Sequence, residues 1–233
     1  MLFAEVLPRF YNNCVKMEKN IFSEIFYRLY KAYGPQHWWP GDSSLEIAIG
    51  AILTQNTNWM NVEKAIGNLK KKNLMDAKKL LVIQNDSLAD LIKPAGYYRI
   101  KAERLKNFLR WLVMEGGFEG LKSKDIEELR DELLKIKGIG KETADSILLY
   151  AIEKPIFVID AYTRRILKRM GIIQKENMEY DELRNLFESN LPRDVELFNE
   201  YHALLVRLGK EICLKRRPQC ARCPLSDICE KQT

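Results

Sequence analysis

The sequence predicts an all-α fold, on three observations. Apolar residues recur at helical rather than alternating intervals along most of the chain. Glycine and proline fall between these periodic stretches and not inside them. The one β-branched run that could pass for a strand, I156-FVID, has no second run to pair with.

The elements follow in order. In I21-FSEIFYRLYKAYG, Ile21, Ile25, Phe26, Leu29 and Tyr33 share a helical face, and Gly34-Pro35 stops the helix. P35-QHWWPGDS is a loop that offers Asp42, Ser43 or Ser44 as the next N-cap. L45-EIAIGAILTQ is apolar almost all round, as a buried helix is. N58-WMNVEKAIGNLKKK is amphipathic. S87 to Met114 reads as helix, turn and long helix, broken at Pro94-Ala95-Gly96. D125-IEELRDELLKI ends at Gly138, and K141-ETADSILLYAIE runs up to Pro155. I156-FVID is then an extended link into A161-YTRRILKRMG. Y180-DELRNLFESN and V195-ELFNEYHALLVRLGKEIC complete the helices.

The 233 residues suffice for one large domain or two small ones. With 46% apolar and 30% charged residues, the composition is that of a globular chain and not of a disordered one. Lys plus Arg is 38 against 32 acidic residues, a net charge of +6 that permits a polyanionic partner without demanding one. No apolar run is long enough to span a bilayer, so no membrane association is expected. MLFAEVLPRFYNNCVKMEKN lacks a basic segment followed by an apolar one, so the expected location is intracellular and cytoplasmic. Met17 is an alternative start, and Cys14 reads as a lone thiol.

K137-GIGKETAD joins two of these helices by a tight turn. Gly138 and Gly140 permit positive φ and close backbone approach. The helix that starts near Lys141 points its free N–H groups back at the turn, an anion site to which Lys137 and Lys141 add charge. A glycine C-cap between packed helices would look the same from this motif alone. Downstream, V158-ID puts Asp160 at the end of an apolar run, just before a helix bearing Arg164, Arg165, Lys168 and Arg169. An aspartate there is an N-cap or, with the glycine hairpin upstream, a catalytic carboxylate.

Cys213, Cys220, Cys223 and Cys229 form C-x6-C-x2-C-x5-C near the end of the chain. In an intracellular protein such clustering argues for metal and not for disulfides. Four thiolates suit zinc and a [4Fe–4S] cluster equally. Lys215, Arg216 and Arg217 make the first loop basic, either a solvated loop or a phosphate contact. Trp38, Trp39 and Trp59 flank the buried helix. They are either core packing or an aromatic clamp for a planar ligand. His37 and His202, the only histidines, show no catalytic pattern.

L134-KIKGIGKETADSILLYA followed by V158-ID resembles the helix-hairpin-helix DNA glycosylase superfamily typified by endonuclease III, from about residue 21 to Cys229. The resemblance implies double-stranded DNA carrying a damaged base as partner, and a backbone grip at Lys137, Gly138, Gly140 and Lys141. Asp160 would stabilise the oxocarbenium-like sugar or activate water. The cysteine spacing is similar to the iron–sulfur loop of these enzymes, which favours [4Fe–4S] over zinc. The implied architecture is two helical subdomains flanking a DNA-binding cleft, with Asp160 near the seam and a monomer expected. One subdomain is 41–154, a helical barrel ending in the hairpin; the other is 1–40 plus 155–233.

Bifunctional members carry a lysine at the position of Glu142. A carboxylate cannot form a Schiff base, and Lys141 lies about 100° further round the helix. The expectation is a monofunctional glycosylase that leaves an abasic site intact, with Glu142 either contacting base or sugar or standing by. W38-WP, L53-TQNT, an aromatic at 59, K137-GIGKE and Asp160 together are similar to the 3-methyladenine DNA glycosylase III group. By that analogy Trp38, Trp39, Pro40 and Trp59 form the base pocket, and Gln55 fills the gap left by a flipped base. The four cysteines mark a cluster-retaining branch, since some members of the group lack them. Two alternatives stand beside this reading: a mismatch-specific (thymine or adenine) or oxidised-pyrimidine glycosylase, and a non-catalytic helix-hairpin-helix DNA-binding module.

Overall fold

The computed structural model describes residues 20–231; Cys14 and Met17 lie outside them. The described residues are helical without strands. In chain order the helices are α1 (Ile21–Tyr33), α2 (Ser44–Leu53), α3 (Trp59–Lys71), α4 (Ala77–Val82), α5 (Asn85–Leu91) and α6 (Tyr98–Met114). They continue with α7 (Phe118–Leu121), α8 (Ile126–Lys135), α9 (Lys141–Ser146), α10 (Ala161–Arg169), α11 (Tyr180–Asn190) and α12 (Val195–Glu211). Short 3-10 turns occur at Lys93–Ala95 and Cys220–Arg222. No helix is long and apolar enough to cross a membrane.

Local chemistry sets many of these boundaries. The side chains of Asn20, Ser43, Asn58, Asp76, Asp125, Asp160 and Asp194 each accept a hydrogen bond from a free amide of the first turn that follows. Of the three cap candidates before α2, Ser43 takes the position. The helix expected from Lys141 to Glu153 is α-helical only as far as Ser146. From Ile147 to Ala151 it widens into a π turn. The helices α4 and α7 were not foreseen. They are a few residues long, too short for a periodic pattern to declare itself.

The chain divides into two compact units. One runs from Trp39 to Lys154; the other comprises the described residues up to Trp38 together with those from Pro155 on. In the first, α2 is the centre: Ala48, Ile49, Gly50, Ala51, Ile52 and Leu53 are all buried. It packs against α3, α6, α9 and the π turn. Lys101 of α6 is buried, and its ammonium donates to the carbonyls of Leu53 (2.8 Å) and Ala95 (2.7 Å). It thereby satisfies two helix-end acceptors that have no intrahelical partner. Burial pushes the Lys101 pKa down to about 8.

The second unit has an aromatic core of Phe22, Phe26, Phe157, Phe187, Phe198 and Tyr201, with Phe157 and Phe187 stacked at 3.9 Å. Residues Ile156–Ile159 are buried and extended. Their amides are satisfied by side chains instead of a sheet: Phe157 N–H donates to Glu188 (2.9 Å) and Ile159 N–H to the Tyr180 hydroxyl (3.2 Å). α10 packs on α12. A Cβ at Gly209 would come within 2.5 Å of the Tyr162 ring, so glycine permits that approach.

Candidate functional site: a capped carboxylate, an aromatic cluster and a glycine hairpin

Asp160 ends the buried extended link and caps α10. Its Oδ1 accepts the Thr163 amide at 2.7 Å, which fixes the side-chain torsion. Its Oδ2 lies 3.7 Å from His202 Nε2, and the Asp160 side chain keeps 13% of its exposure. Most of this carboxylate is thus oriented by protein, with one edge left open. His202 is buried, and desolvation lowers its pKa despite the opposing pull of Asp160. No sequence motif singles out His202; the packing of α12 on α10 brings it to Asp160.

The tryptophans separate. Trp39 meets Trp59 edge-on at 5.2 Å and lies 5.0 Å from Tyr150. Tyr150 belongs to the π turn and is a second residue missed by sequence reading. Gly50 of α2 stands beneath both indoles: a Cβ there would lie 3.3 Å from Trp39 Nε1 and 3.3 Å from Trp59 Cη2. Trp59 Nε1 donates to Glu63 at 2.7 Å. Pro40 is exposed beside this group. Trp38 falls in the other unit, where the Lys210 ammonium sits 5.6 Å over its ring. Trp38 is held from its own side by a loop in which Gln36 N–H donates to Glu200 at 2.7 Å.

At the hairpin only Gly138 uses a left-handed conformation, with φ +99°. Gly140 has φ −98° and serves as the N-cap of α9, so of the two glycines that permit positive φ one uses it. A Cβ at Gly140 would meet nothing within 4 Å, so the space beside this turn is open. Lys137 is 83% exposed and pairs with Glu103 at 3.1 Å. Lys141 is partly buried and Glu142 exposed. Behind the turn, Arg130 holds Asp145 through Nε–Oδ1 (2.7 Å) and Nη2–Oδ2 (3.3 Å), both side chains buried, and so ties α8 to α9.

Gln55 is not a projecting tip. Its amide nitrogen donates to Gly138 O (3.1 Å) and Thr143 Oγ1 (2.9 Å), and its oxygen accepts from Arg104. An amide with both ends inside the protein is a strut between the 54–58 loop and the hairpin. It can fill a gap in DNA only by giving up these bonds. Arg104 also lies where a Gly138 side chain would be, with its Cγ 2.2 Å from the ideal Cβ.

The four C-terminal cysteines are unpaired by disulfides and line one cavity of about 140 Å³ with Arg169, Ile212, Pro218, Ser226 and Lys231. Burial raises the Cys223 and Cys229 thiols above the ordinary value. Among the described residues no three such donors close on a single point as one ion would require. The four cysteines line this one cavity together, and four thiolates are a donor set that a [4Fe–4S] cluster or zinc accepts. Arginines of α10 frame the loop: Arg165 donates to Cys213 O (2.9 Å), and Arg169 to Leu214 O (2.7 Å) and Cys213 Sγ (3.3 Å). Lys215, Arg216 and Arg217 are exposed at its edge.

Comparison with known proteins follows the geometry. A family model described as HhH-GPD superfamily base excision DNA repair protein matches residues 49–193. A Methanocaldococcus jannaschii protein, named as a candidate DNA repair glycosylase, is 48% identical over 220 residues, covering 91% of this chain and 99% of its own. Endonuclease III of Thermotoga maritima is 32% identical over 184 residues, covering 79% of this chain and 81% of its own. The solved structure of the H. pylori 3-methyladenine DNA glycosylase bound to 1,N6-ethenoadenine superposes with a TM-score of 0.69 at 31% identity. The match covers 82% of this chain and 97% of that one. With the matched segment running from the buried helix through the glycine hairpin and past Asp160, the chain belongs to the HhH-GPD superfamily of base excision DNA repair proteins.

Proposed function

We propose that the protein is a monofunctional DNA glycosylase that flips alkylated purines such as 3-methyladenine out of duplex DNA, hydrolyses the N-glycosidic bond and leaves an abasic site. The observation that carries the substrate class is the cluster of Trp39, Trp59 and Tyr150 around Gly50. A flipped base is read by stacking on aromatic faces. An alkylated purine is cationic, and cation–π attraction contributes about 0.5–2 kcal/mol on such faces. The Glu63 carboxylate hydrogen-bonded to the Trp59 indole adds negative potential beside them.

A cationic purine is already an activated leaving group. One carboxylate that stabilises charge developing on the sugar then suffices, and Asp160, fixed by the Thr163 amide with one edge open, is suited to that work. It can also orient the attacking water. Glu142, not an amine, occupies the exposed first turn of α9, which favours hydrolysis over a Schiff-base route. Lys137, Lys141 and the start of α9 after Gly140 contact backbone phosphate, and Lys215, Arg216 and Arg217 contact it from the cysteine loop. Cys213, Cys220, Cys223 and Cys229 hold a [4Fe–4S] cluster whose part is to cross-link a segment with little apolar core of its own.

The test is base release from methylated duplex DNA, with the strands run on a gel before and after alkali. The expected result is free 3-methyladenine and nicks that appear only after alkali. Asp160→Asn should keep DNA binding while the release rate falls by a factor of about 100 or more. Release confined to G·T mismatches or oxidised pyrimidines would overturn the substrate class. Nicking without alkali would overturn the monofunctional reading.

A further inference from the structure

His202 has no part in the reaction just described, yet it is buried on α12 with Nε2 3.7 Å from Asp160 Oδ2. We infer that His202 is a positioning residue for Asp160: its neutral imidazole fixes the second carboxylate oxygen, and its protonation silences the carboxylate. The inference rests on the reading of Asp160 as the group that faces the sugar.

The two oxygens of the carboxylate differ in their surroundings. Oδ1 is committed to the Thr163 amide, so the side chain cannot rotate without losing its cap. Oδ2 is the oxygen left to meet developing positive charge, and His202 is the ionisable group recorded beside it. At 3.7 Å the contact is longer than a hydrogen bond, as contacts of catalytic groups often are before substrate binds. A neutral imidazole with its proton on Nε2 offers Oδ2 a dipole and leaves the full negative charge for the sugar. An imidazolium at that distance forms an ion pair with Asp160, and the pair presents little net charge to a cation.

The surroundings favour the neutral form. Burial lowers the proton affinity of His202, Asp160 raises it, and Lys210 further along α12 lowers it. The other charged side chains nearby are engaged elsewhere. Arg164 reaches Met178 O, Arg165 reaches Gly209 O and Cys213 O, Arg169 reaches the cysteine loop, and Glu200 accepts from Gln36. The net shift is downward from 6.5, so the imidazole is neutral at pH 7 and gains its proton only in more acid solution.

The chain has 2 histidines, so an NMR titration of the whole protein resolves His202 once His37 is assigned by His37→Gln. His202 is expected to titrate below 6.5 in the wild type and lower still in Asp160→Asn, where the neighbouring negative charge is gone. In parallel, single-turnover base release from methylated DNA is measured against pH and corrected for spontaneous loss. The wild-type rate should fall at least tenfold as His202 takes up its proton. His202→Gln, which keeps an N–H donor but cannot titrate, should hold its plateau through the same range. His202→Leu should lower the rate at neutral pH while DNA affinity is unchanged.

An unchanged His202 titration in Asp160→Asn overturns the proposal, and that measurement needs no His202 variant to fold. An acid limb that persists in His202→Gln also overturns it. Should the wild type release no methylated base at all, the reading of the substrate fails separately, and the titration alone decides whether the two side chains are coupled.

Discussion

Glu200 is a residue whose ionisation the fold works against. It is 7% exposed, and burial lifts its pKa to about 7 from an ordinary 4.5 while it accepts the Gln36 amide. Between those two values the folded state binds the extra proton, so the stability present below pH 4.5 is lost as the pH rises through 7. Glu200→Gln keeps the acceptor for Gln36 without the charge. It should melt about 5 °C higher than wild type at pH 8.5, a gain of about 2 kcal/mol, and show no gain at pH 4.5. Thermal melts at the two pH values check this. The motif carried Asp160 because its signal is local: an apolar run, a carboxylate, a helix. Nothing local marks Glu200, His202 or Tyr150. Each acquires its setting from a distant segment, respectively the 34–38 loop, Asp160 and Trp39. The contacts of Gln55 were not legible for the same reason, since its partners Gly138, Thr143 and Arg104 come from other elements.

Among elements, the pair α8–α9 that carries the hairpin depends on the ion pair of Arg130 with Asp145. Both side chains are buried, so removing one partner leaves the other's charge inside the fold without this two-bond contact. Asp145→Ala should destabilise the protein by about 3–5 kcal/mol in denaturant unfolding. Arg130→Met with Asp145→Leu should recover most of that loss, because a well-packed apolar pair avoids the desolvation cost. A double substitution as damaging as the single one would assign the effect to packing and not to charge. The helices themselves were legible wherever a side-chain cap preceded a periodic stretch, as at Ser43, Asn58, Asp125 and Asp194. The π turn at Ile147–Ala151 was not, because its residues keep the apolar character of any buried helix. What differs is the hydrogen-bond register, in a segment that packs against α2.

At the scale of the molecule, a net charge of +6 is too small to dictate a nucleic-acid partner, so where the basic residues are held matters more than their number. Lys215, Arg216 and Arg217 lie on a loop anchored at one end by Cys213 and at the other by Cys220, with Arg169 bonded to its backbone. Arg28 of α1 pairs with Asp227 inside the same cysteine segment at 2.6 Å. If iron and thiolates supply the cross-links, two treatments should have the same effect on DNA binding for different reasons. Replacing the three basic residues by Ala removes the charges. Replacing Cys220 by Ser, or stripping iron with a chelator, leaves the charges in place and frees the loop that presents them. Either change should lower the slope of log affinity against log salt by about 2–3, the value for two or three lost phosphate contacts. Only the second should abolish iron content and speed amide exchange over residues 213–231, while residues 39–154 stay protected. A cysteine variant that loses iron yet keeps the full salt slope would show that the loop is held by Arg165, Arg169 and Arg28 alone. Iron would then contribute stability without organising the DNA contact.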